Sequence, residues 1–251
     1  MTMGNVARNG WARPGGVSND GLVDLDARKR RIVARSLTAR AASPASQSAL
    51  ADAGTVQRVE RGRSLFSQGD GAASVGLLGL GRVRLVRATP DGKNLLVGYR
   101  GAGDTVGEAV LGGVSAHRET AVATEDVDAL MVPAQALQRL MGTDSGFCAA
   151  MVAAMVERQC DTEERLASML FRDVEGRLAD FLIKAAARWG IPDPRGVLIA
   201  APFTHQEMAS MIGSTRETVT LTLGDMRRKG ILEVDRRRIV VLDRERLKAL
   251  A

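Results

Sequence analysis

Hydrophobic and polar positions change their period twice along this chain. From Met1 to about Asp24 nothing recurs at 2.0 or 3.6 residues, and Gly, Asn and Pro with scattered Arg read as a loose arm. Residues 26–42, DARKRRIVARSLTARAA, fit a basic amphipathic helix with Ile32, Leu37 and Ala41 as its thin apolar side. It reads as a solvated lid on the next domain, with DNA-contacting or membrane-surface roles as the alternatives. Ser43-Pro44 marks a boundary, with Pro44 in first-turn position of a short helix over 45–53. Beyond Gly54 the pattern shortens to extended segments: VQRVERGRSLFSQGD, SVGLLGLGRVRLVRA, KNLLVGYRG and ETAVATEDVDALMV. Alternation is clearest where Val83 and Leu85 are interleaved with arginines, and Pro90-Asp91-Gly92 supplies a tight hairpin connection. Short strands without intervening helices predict a β-roll or barrel over about 45–132.

After Pro133 the period becomes helical. A short helix over 134–141 leads into one from about Ser145 to Phe171, with Phe147, Met151, Met155, Gln159, Leu166 and Leu170 roughly on one side. Its length and Met-rich face suggest docking against a second copy about a two-fold axis; packing between two domains of one protomer is the alternative. From Asp173, residues Val174, Leu178, Phe181, Leu182, Ala185 and Trp189 recur at helical spacing until Gly190-Ile191-Pro192 ends the run. Thr204 and Glu207 then form a T-x-x-E box with Phe203 and Met208 placed as a hydrophobic staple, and Ser214 with Glu217 forms an S-x-x-E box. These predict helices over about 205–212 and 215–228, joined by Gly213-Ser214 at a sharp angle. A hairpin follows, with strands 231–234 and 238–242 around the basic corner Arg236, Arg237 and Arg238. The fold class is therefore α+β: an N-terminal β-roll, a long helix and a C-terminal winged helix-turn-helix.

The chemistry of the last unit suits duplex DNA. Spaced at 100° per residue, Val219, Leu223 and Met226 seal one side of the second helix, and the surface near Arg216, Glu217, Thr220 and Leu221 is left to enter a major groove. Arg216 can donate a bidentate pair to guanine, Glu217 can accept from cytosine N4, and Thr220 can bond a base edge or a phosphate. Leu221 meets a thymine methyl or packs on the wing or a neighbouring helix. Arg227, Arg228 and Lys229 suit phosphates, as do Arg236, Arg237 and Arg238 on the wing, with Thr204, Ser214 and Thr215 at the helix starts.

Composition narrows the alternatives. The 251 residues carry 35 Lys+Arg against 29 Asp+Glu, a formal net charge of +6, which favours a polyanionic partner without demanding one. Cys148 and Cys160 have no paired spacing, so neither a disulfide framework nor a compact zinc site is indicated; they read as small helix-face residues or a redox switch. No apolar run approaches the ~20 residues of a membrane span, and no hydrophobic signal segment opens the chain, which places the protein in the cytoplasm. No nucleophile–base–acid set, phosphate loop or carboxylate pair suggests an enzyme.

Over about 43–245 the chain resembles the CRP/FNR superfamily of bacterial transcription regulators. The residues that carry the resemblance are Ser214-Thr215-Arg216-Glu217-Thr218-Val219, Asp173-Val174-Glu175-Gly176-Arg177-Leu178, the run from Gly62 to Asp70, and Gly107-Glu108 with Arg118. The resemblance implies a cyclic-nucleotide-binding-like β-roll as effector domain over 43–143 after an arm and basic helix over 1–42. It further implies a dimerisation helix over 144–171, a winged DNA-binding domain over 172–251, a homodimer, and recruitment or blocking of RNA polymerase. The effector pocket it implies holds Gly107, Glu108, Arg118, Glu119, Thr162 and Glu163. Two positions depart from the cyclic-AMP receptor's pattern, in that Glu119 and Glu163 stand where it has serines. A glutamate beside a bound phosphate opposes cyclic nucleotide binding unless it turns away or pairs with an arginine. Leu221 replaces the second arginine of that receptor's recognition helix, so its DNA target does not carry over. Two cysteines fall short of an iron–sulfur cluster's ligands, and His117, beside Arg118, reads as a surface or lid residue before a haem ligand. The alternative to a DNA-binding regulator is an effector-binding interaction module whose winged domain docks protein.

Overall fold

The computed structural model describes residues 19–90, 94–200, 203–235 and 238–251. Helix α1 (Asn19–Arg35), a 3-10 turn (Ala39–Ala41) and α2 (Pro44–Ala53) precede eight strands: β1 (Thr55–Val59), β2 (Ser64–Phe66), β3 (Ser74–Leu80), β4 (Arg82–Ala88), β5 (Asn94–Gly101), β6 (Thr105–Val106), β7 (Thr120–Ala123) and β8 (Val127–Pro133). Helices α3 (Ala134–Thr143), α4 (Ser145–Phe171) and α5 (Val174–Trp189) follow. The chain closes with β9 (Gly190–Asp193), β10 (Gly196–Ile199), α6 (His205–Ile212), α7 (Arg216–Arg228), β11 (Leu232–Asp235), β12 (Arg238–Val241) and α8 (Arg244–Leu250).

The eight strands form two four-stranded antiparallel sheets, ordered β1-β8-β3-β6 and β2-β7-β4-β5. Leu78, Val83, Leu85, Val106, Ala121 and Val127 are buried between them. In β4 the inward Val83 and Leu85 alternate with Arg82 and Arg84, which sends the arginines to the other face. The expected turn at Asp91-Gly92 lies outside the described residues.

Two expectations about the N-terminal segment change. Helix α1 begins at Asn19, inside the stretch read as a loose arm, and ends at Arg35. Its apolar face is Ile32 and Val33, which join the core with Leu77 and Leu130, while Leu37 is exposed. The chain leaves the helix because the Leu37 N–H donates to the Gly103 carbonyl, 2.8 Å away, and the hydroxyls of buried Ser36 and Thr38 pair at 3.2 Å. Arg28 Nε donates to Asp128 Oδ2 of β8 at 3.1 Å. The helix is thus fastened to the roll by Ile32, Val33 and Arg28, while most of its other described side chains are exposed, as expected of a solvated lid.

Asp144 ties the segment at Ser43 to α4. Its carboxylate accepts from Phe147 N (3.0 Å), capping α4, and from Ser43 N (2.8 Å), whose own side chain caps α2. These backbone hydrogen bonds hold the Asp144 carboxyl well below the usual carboxylate range. Along α4 the expected stripe divides. Phe147 and Met151 are 0% and 1% exposed against this protomer's own roll, with Met155 packed beside them, so they cannot face a second copy. Val152, Val156, Leu166, Leu170 and Phe171 remain exposed.

The C-terminal unit contains a third sheet, β11-β12-β10-β9, in which the wing hairpin pairs Leu232 with Val241 and Asp235 with Arg238. Strands β9 and β10 and helix α8 have no counterpart in the sequence expectations. Leu96 and Tyr99 of β5 lie in one continuous core with Leu182, Val219, Leu223 and Met226, so the two units share buried surface. No helix among the described residues is long and apolar enough to cross a membrane.

Gly81 joins β3 to β4 at φ +77°, and a Cβ there would press on the Asp126 carbonyl oxygen; Gly69, at φ +89°, has open space around it. Gly81→Ala is therefore expected to cost about 3 kcal/mol or more and Gly69→Ala about 1 kcal/mol, read from urea unfolding midpoints. Equal losses would mean that backbone strain alone sets the cost.

Candidate nucleic-acid interface

Helix α6 opens with a complete capping box: Glu207 N donates to Thr204 Oγ1 (3.1 Å), while Thr204 N donates to Glu207 Oε2 (2.9 Å). Phe203 does not act simply as the staple residue. It sits in a ring cluster with Tyr99 and Phe181 (centroids 5.1 Å each) and Trp189 (5.4 Å). At the other end Gly213 adopts φ +64°, and Ser214 N donates to the Ala209 carbonyl.

That closure corrects the expected start of α7. Ser214 is used in ending α6, and Thr215 is the cap, its side chain accepting from Thr218 N at 3.2 Å. Glu217 consequently stands one place too early for a reciprocal capping bond, and is exposed in the first turn, where a carboxylate complements the helix dipole. Val219, Leu223 and Met226 are buried, and burial of each contributes about 1.5–3 kcal/mol. On the other side Arg216, Glu217 and Thr220 are exposed, and Leu221 is 71% exposed, which rules out packing on the wing or a neighbouring helix within the protomer.

The polar groups near this surface divide into committed and uncommitted sets. The Thr220 hydroxyl donates to the Arg216 carbonyl (2.8 Å) and lies 2.7 Å from His205 Nδ1 of α6, so its one proton is already used. Arg228 pairs with Asp225, and Lys229 Nζ lies 2.6 Å from Glu175 Oε1 of α5. Arg216, Arg227 and Arg238 have no ion-pair partner among the described residues. Arg236 and Arg237 lie outside the described residues.

The second predicted cluster is in the roll. Gly107, at φ +77°, begins a 3-10 turn (Glu108–Gly112) that carries Glu108 toward α4, where it pairs with Arg158. Arg158 also donates to Thr105 Oγ1 at 2.8 Å, and burial, with Arg100 nearby, pulls its guanidinium down to about 10. Glu108 Oε2 is buried without a hydrogen-bond partner. Glu119 pairs with Arg87 at 3.4 Å, and Arg87 also donates to the Arg118 carbonyl. Thr162 and Glu163 are exposed, the first bonded to the Arg158 carbonyl and the second accepting from Gln159 at 2.9 Å. His117 stacks on Phe66 with centroids 3.8 Å apart and packs under Gly107, and burial pushes its imidazole below the ordinary value. It is a half-buried residue packed on Phe66 rather than a freely exposed one.

Comparison with known proteins agrees with this two-part arrangement. The cyclic nucleotide-binding domain family matches residues 56–144, and the Crp-like helix-turn-helix domain family matches 176–250. The Global nitrogen regulator of Synechococcus elongatus is 32% identical over 75% of this chain and 86% of its own length. The chain belongs to the CRP/FNR family of transcription regulators. A CRP-like cAMP-activated global transcriptional regulator of Mycobacterium tuberculosis is 26% identical over 74% of this chain and 84% of its own. Among solved structures, FixK2 from Bradyrhizobium japonicum shares the fold with a TM-score of 0.69 at 23% identity, covering 78% of this chain and 96% of its own. A mutant of CooA from Carboxydothermus hydrogenoformans is 28% identical with a TM-score of 0.68, covering 79% and 88%. As in other CRP/FNR regulators, then, the helix-turn-helix of this one is its DNA-binding part.

Sequence reasoning missed the contact between this DNA-binding part and the roll. Arg84 Nη1 lies 3.3 Å from Glu207 Oε1, Arg82 lies over the Trp189 ring at 5.7 Å, and Tyr99 meets Phe203. A faint signal existed, because the chain's one tyrosine and a tryptophan stand in otherwise aromatic-poor segments.

Because Thr215 and not Ser214 caps α7, Thr215→Ala is expected to cost about 1 kcal/mol of stability and Ser214→Ala less than about half of that. Thermal unfolding of the two variants measures the difference, and a larger loss for Ser214→Ala would return the cap to that residue.

Proposed function

We propose that this regulator acts as a homodimer that reads DNA with residues at the start of α7 while the β-roll answers to an effector. The observation that carries the reading is the division of α7 into a buried side of Val219, Leu223 and Met226 and an exposed side that begins with an unpaired Arg216. Arg216 takes a guanine edge, Glu217 a cytosine amino group, and Leu221 a thymine methyl. Arg227 and Arg238 take phosphates, and Thr204, Ser214 and Thr215 lie at helix starts that favour phosphate approach. Thr220 also braces α6 to α7, and Lys229, tied to α5 by one ion pair, keeps ammonium hydrogens for a phosphate.

The dimer uses the face of α4 that its own protomer leaves uncovered. Val152, Val156, Gln159, Glu163, Leu166 and Leu170 recur at alternating steps of four and three, the spacing of a two-stranded coiled-coil seam. In the proposed dimer the two copies of α7 enter successive major grooves, which lie about 34–36 Å apart on B-DNA. The proposed dimer recruits or blocks RNA polymerase according to where it sits on a promoter. In the roll, the pairing of Glu119 with Arg87 weakens the electrostatic objection to a phosphate, and Glu108 keeps one carboxylate oxygen for a ligand hydroxyl.

Two measurements test this. Leu166→Asp is expected to convert dimer to monomer in sedimentation at micromolar concentration, and an unchanged sedimentation coefficient would remove α4 from the interface. On matched and scrambled duplexes at two salt concentrations, Arg216→Ala should lose about 1–3 kcal/mol on the matched site, whereas Arg238→Ala should weaken both duplexes alike and lower the salt slope by about 1. Equal losses on both duplexes for both variants would defeat the division of roles and favour a winged unit that docks protein.

A further inference from the structure

Between the roll and the start of α6 lies a cleft of about 240 Å³, lined by Arg61, Arg82 and Arg84 on one side and by Thr204 and Glu207 on the other. Tyr99, Val122, Ala123 and Phe203 supply its less polar walls. It is separate from the roll cluster around Glu108 and Arg118. The charges facing it are unbalanced. Arg82 is held by Glu125 at 3.4 Å and by Trp189, whereas Arg61 has no ion-pair partner among the described residues. Arg84 touches Glu207 Oε1 at 3.3 Å, while Glu207 Oε2 is taken by Thr204 N and Oγ1 at 2.9 Å each. The cleft thus carries three guanidiniums against the one carboxylate of Glu207, and Arg61 and Arg84 both reach solvent and are open to a further partner.

A second observation points to a ligand. Tyr99 is 6% exposed, and its hydroxyl is buried at the cleft without a hydrogen bond of good geometry, although burial and the neighbouring Glu207 carboxylate push the phenol well above its ordinary value. A buried donor without an acceptor is costly, and native folds seldom keep one that no partner meets. A well-aligned acceptor is what the hydroxyl lacks, and with Arg61 and Arg84 on the same wall an anionic one is favoured. The volume is below the range for drug-sized molecules, which restricts the occupant to something small.

We infer that this cleft binds a small anionic metabolite whose carboxylate or phosphate pairs with Arg61 and Arg84 and accepts a hydrogen bond from the Tyr99 hydroxyl. Because Arg84 and Glu207 belong to different units, the occupant sits on their junction and competes with Glu207 for Arg84. The inference is independent of the dimer and base-contact assignments above.

Trp189 lies beside Tyr99 and Phe203, with centroids 6.1 and 5.4 Å away, and reports on the cleft by its emission. In the full chain carrying Trp11→Phe, inorganic phosphate and succinate are titrated separately at constant ionic strength. At least one is expected to give a saturable change in Trp189 emission. Arg61→Ala and Tyr99→Phe should each weaken it about tenfold, and Arg118→Ala, in the roll cluster, should leave it unchanged. A response to phosphate alone or to succinate alone assigns the head group. The inference is overturned if neither anion gives a saturable response, if both cleft variants bind as the parent does, or if Arg118→Ala alone abolishes the response. Tyr99→Phe removes only one oxygen, and an unchanged melting temperature for it excludes unfolding as the cause of a loss.

Discussion

The packing of Tyr99 and Leu96 into the core of the winged unit is the contact on which the rest of the arrangement depends. These two residues belong to β5 of the roll, yet they are buried with Phe203, Val219, Leu223 and Met226. The same apolar core that braces α7 therefore also orients it against the roll. Edge-to-face ring pairs such as Tyr99–Phe203 add about 0.5–1.5 kcal/mol beyond the area they bury. Such cores are close-packed and resist gradual deformation, so a shift of α7 relative to the roll must either carry β5 with it or open this contact. The Arg84–Glu207 pair at the same junction is partly exposed and contributes much less, but it can be exchanged at low cost.

Helix α4 carries the other long-range constraint by giving different faces to different neighbours. Phe147 and Met151 fasten its first half to the roll, and Arg158 and Arg165 reach back to Thr105 and to the Val97 carbonyl. Val97 lies in β5, between the two residues that enter the winged core. Helix α4 and the DNA-binding unit therefore contact the same strand of the roll, β5. The uncovered face of α4 has no role in this inward network.

Much of this was legible in the sequence, and the failures have identifiable causes. The long helix, the α6–α7 pair and the wing all follow from period and capping residues, because those signals are local. The α4 stripe was misassigned because a 27-residue helix presents more than one apolar stripe. Periodicity places Phe147 and Leu170 on a helix but cannot say which neighbour covers each. The cap at Ser214 failed for a related reason: S-x-x-E is a valid box only if Ser214 is free, and the Gly213 turn had already used its N–H to close α6. Strands β9 and β10 were hidden by Pro192 and Gly196, residues that read as a turn and are tolerated here in a short pair ending at the edge strand β9. The contact between Arg84 and Glu207 joins residues 123 apart, beyond the reach of any local pattern.

Arg216 is the residue whose position the fold alone explains least. It is the first residue of α7, where the helix dipole opposes a cation by about 0.3–1 kcal/mol, and it is exposed without an ion-pair partner among the described residues. Arg227 and Arg228 stand at the opposite end, where the same dipole favours them, so their presence needs no ligand. Glu217, next to Arg216, fits the dipole as well. A lone cation at the wrong end of a helix is a local conflict, of the kind that concentrates where a chain is built to meet something else. The guanine edge proposed above for Arg216 is an acceptor of the kind that the fold itself withholds at that point.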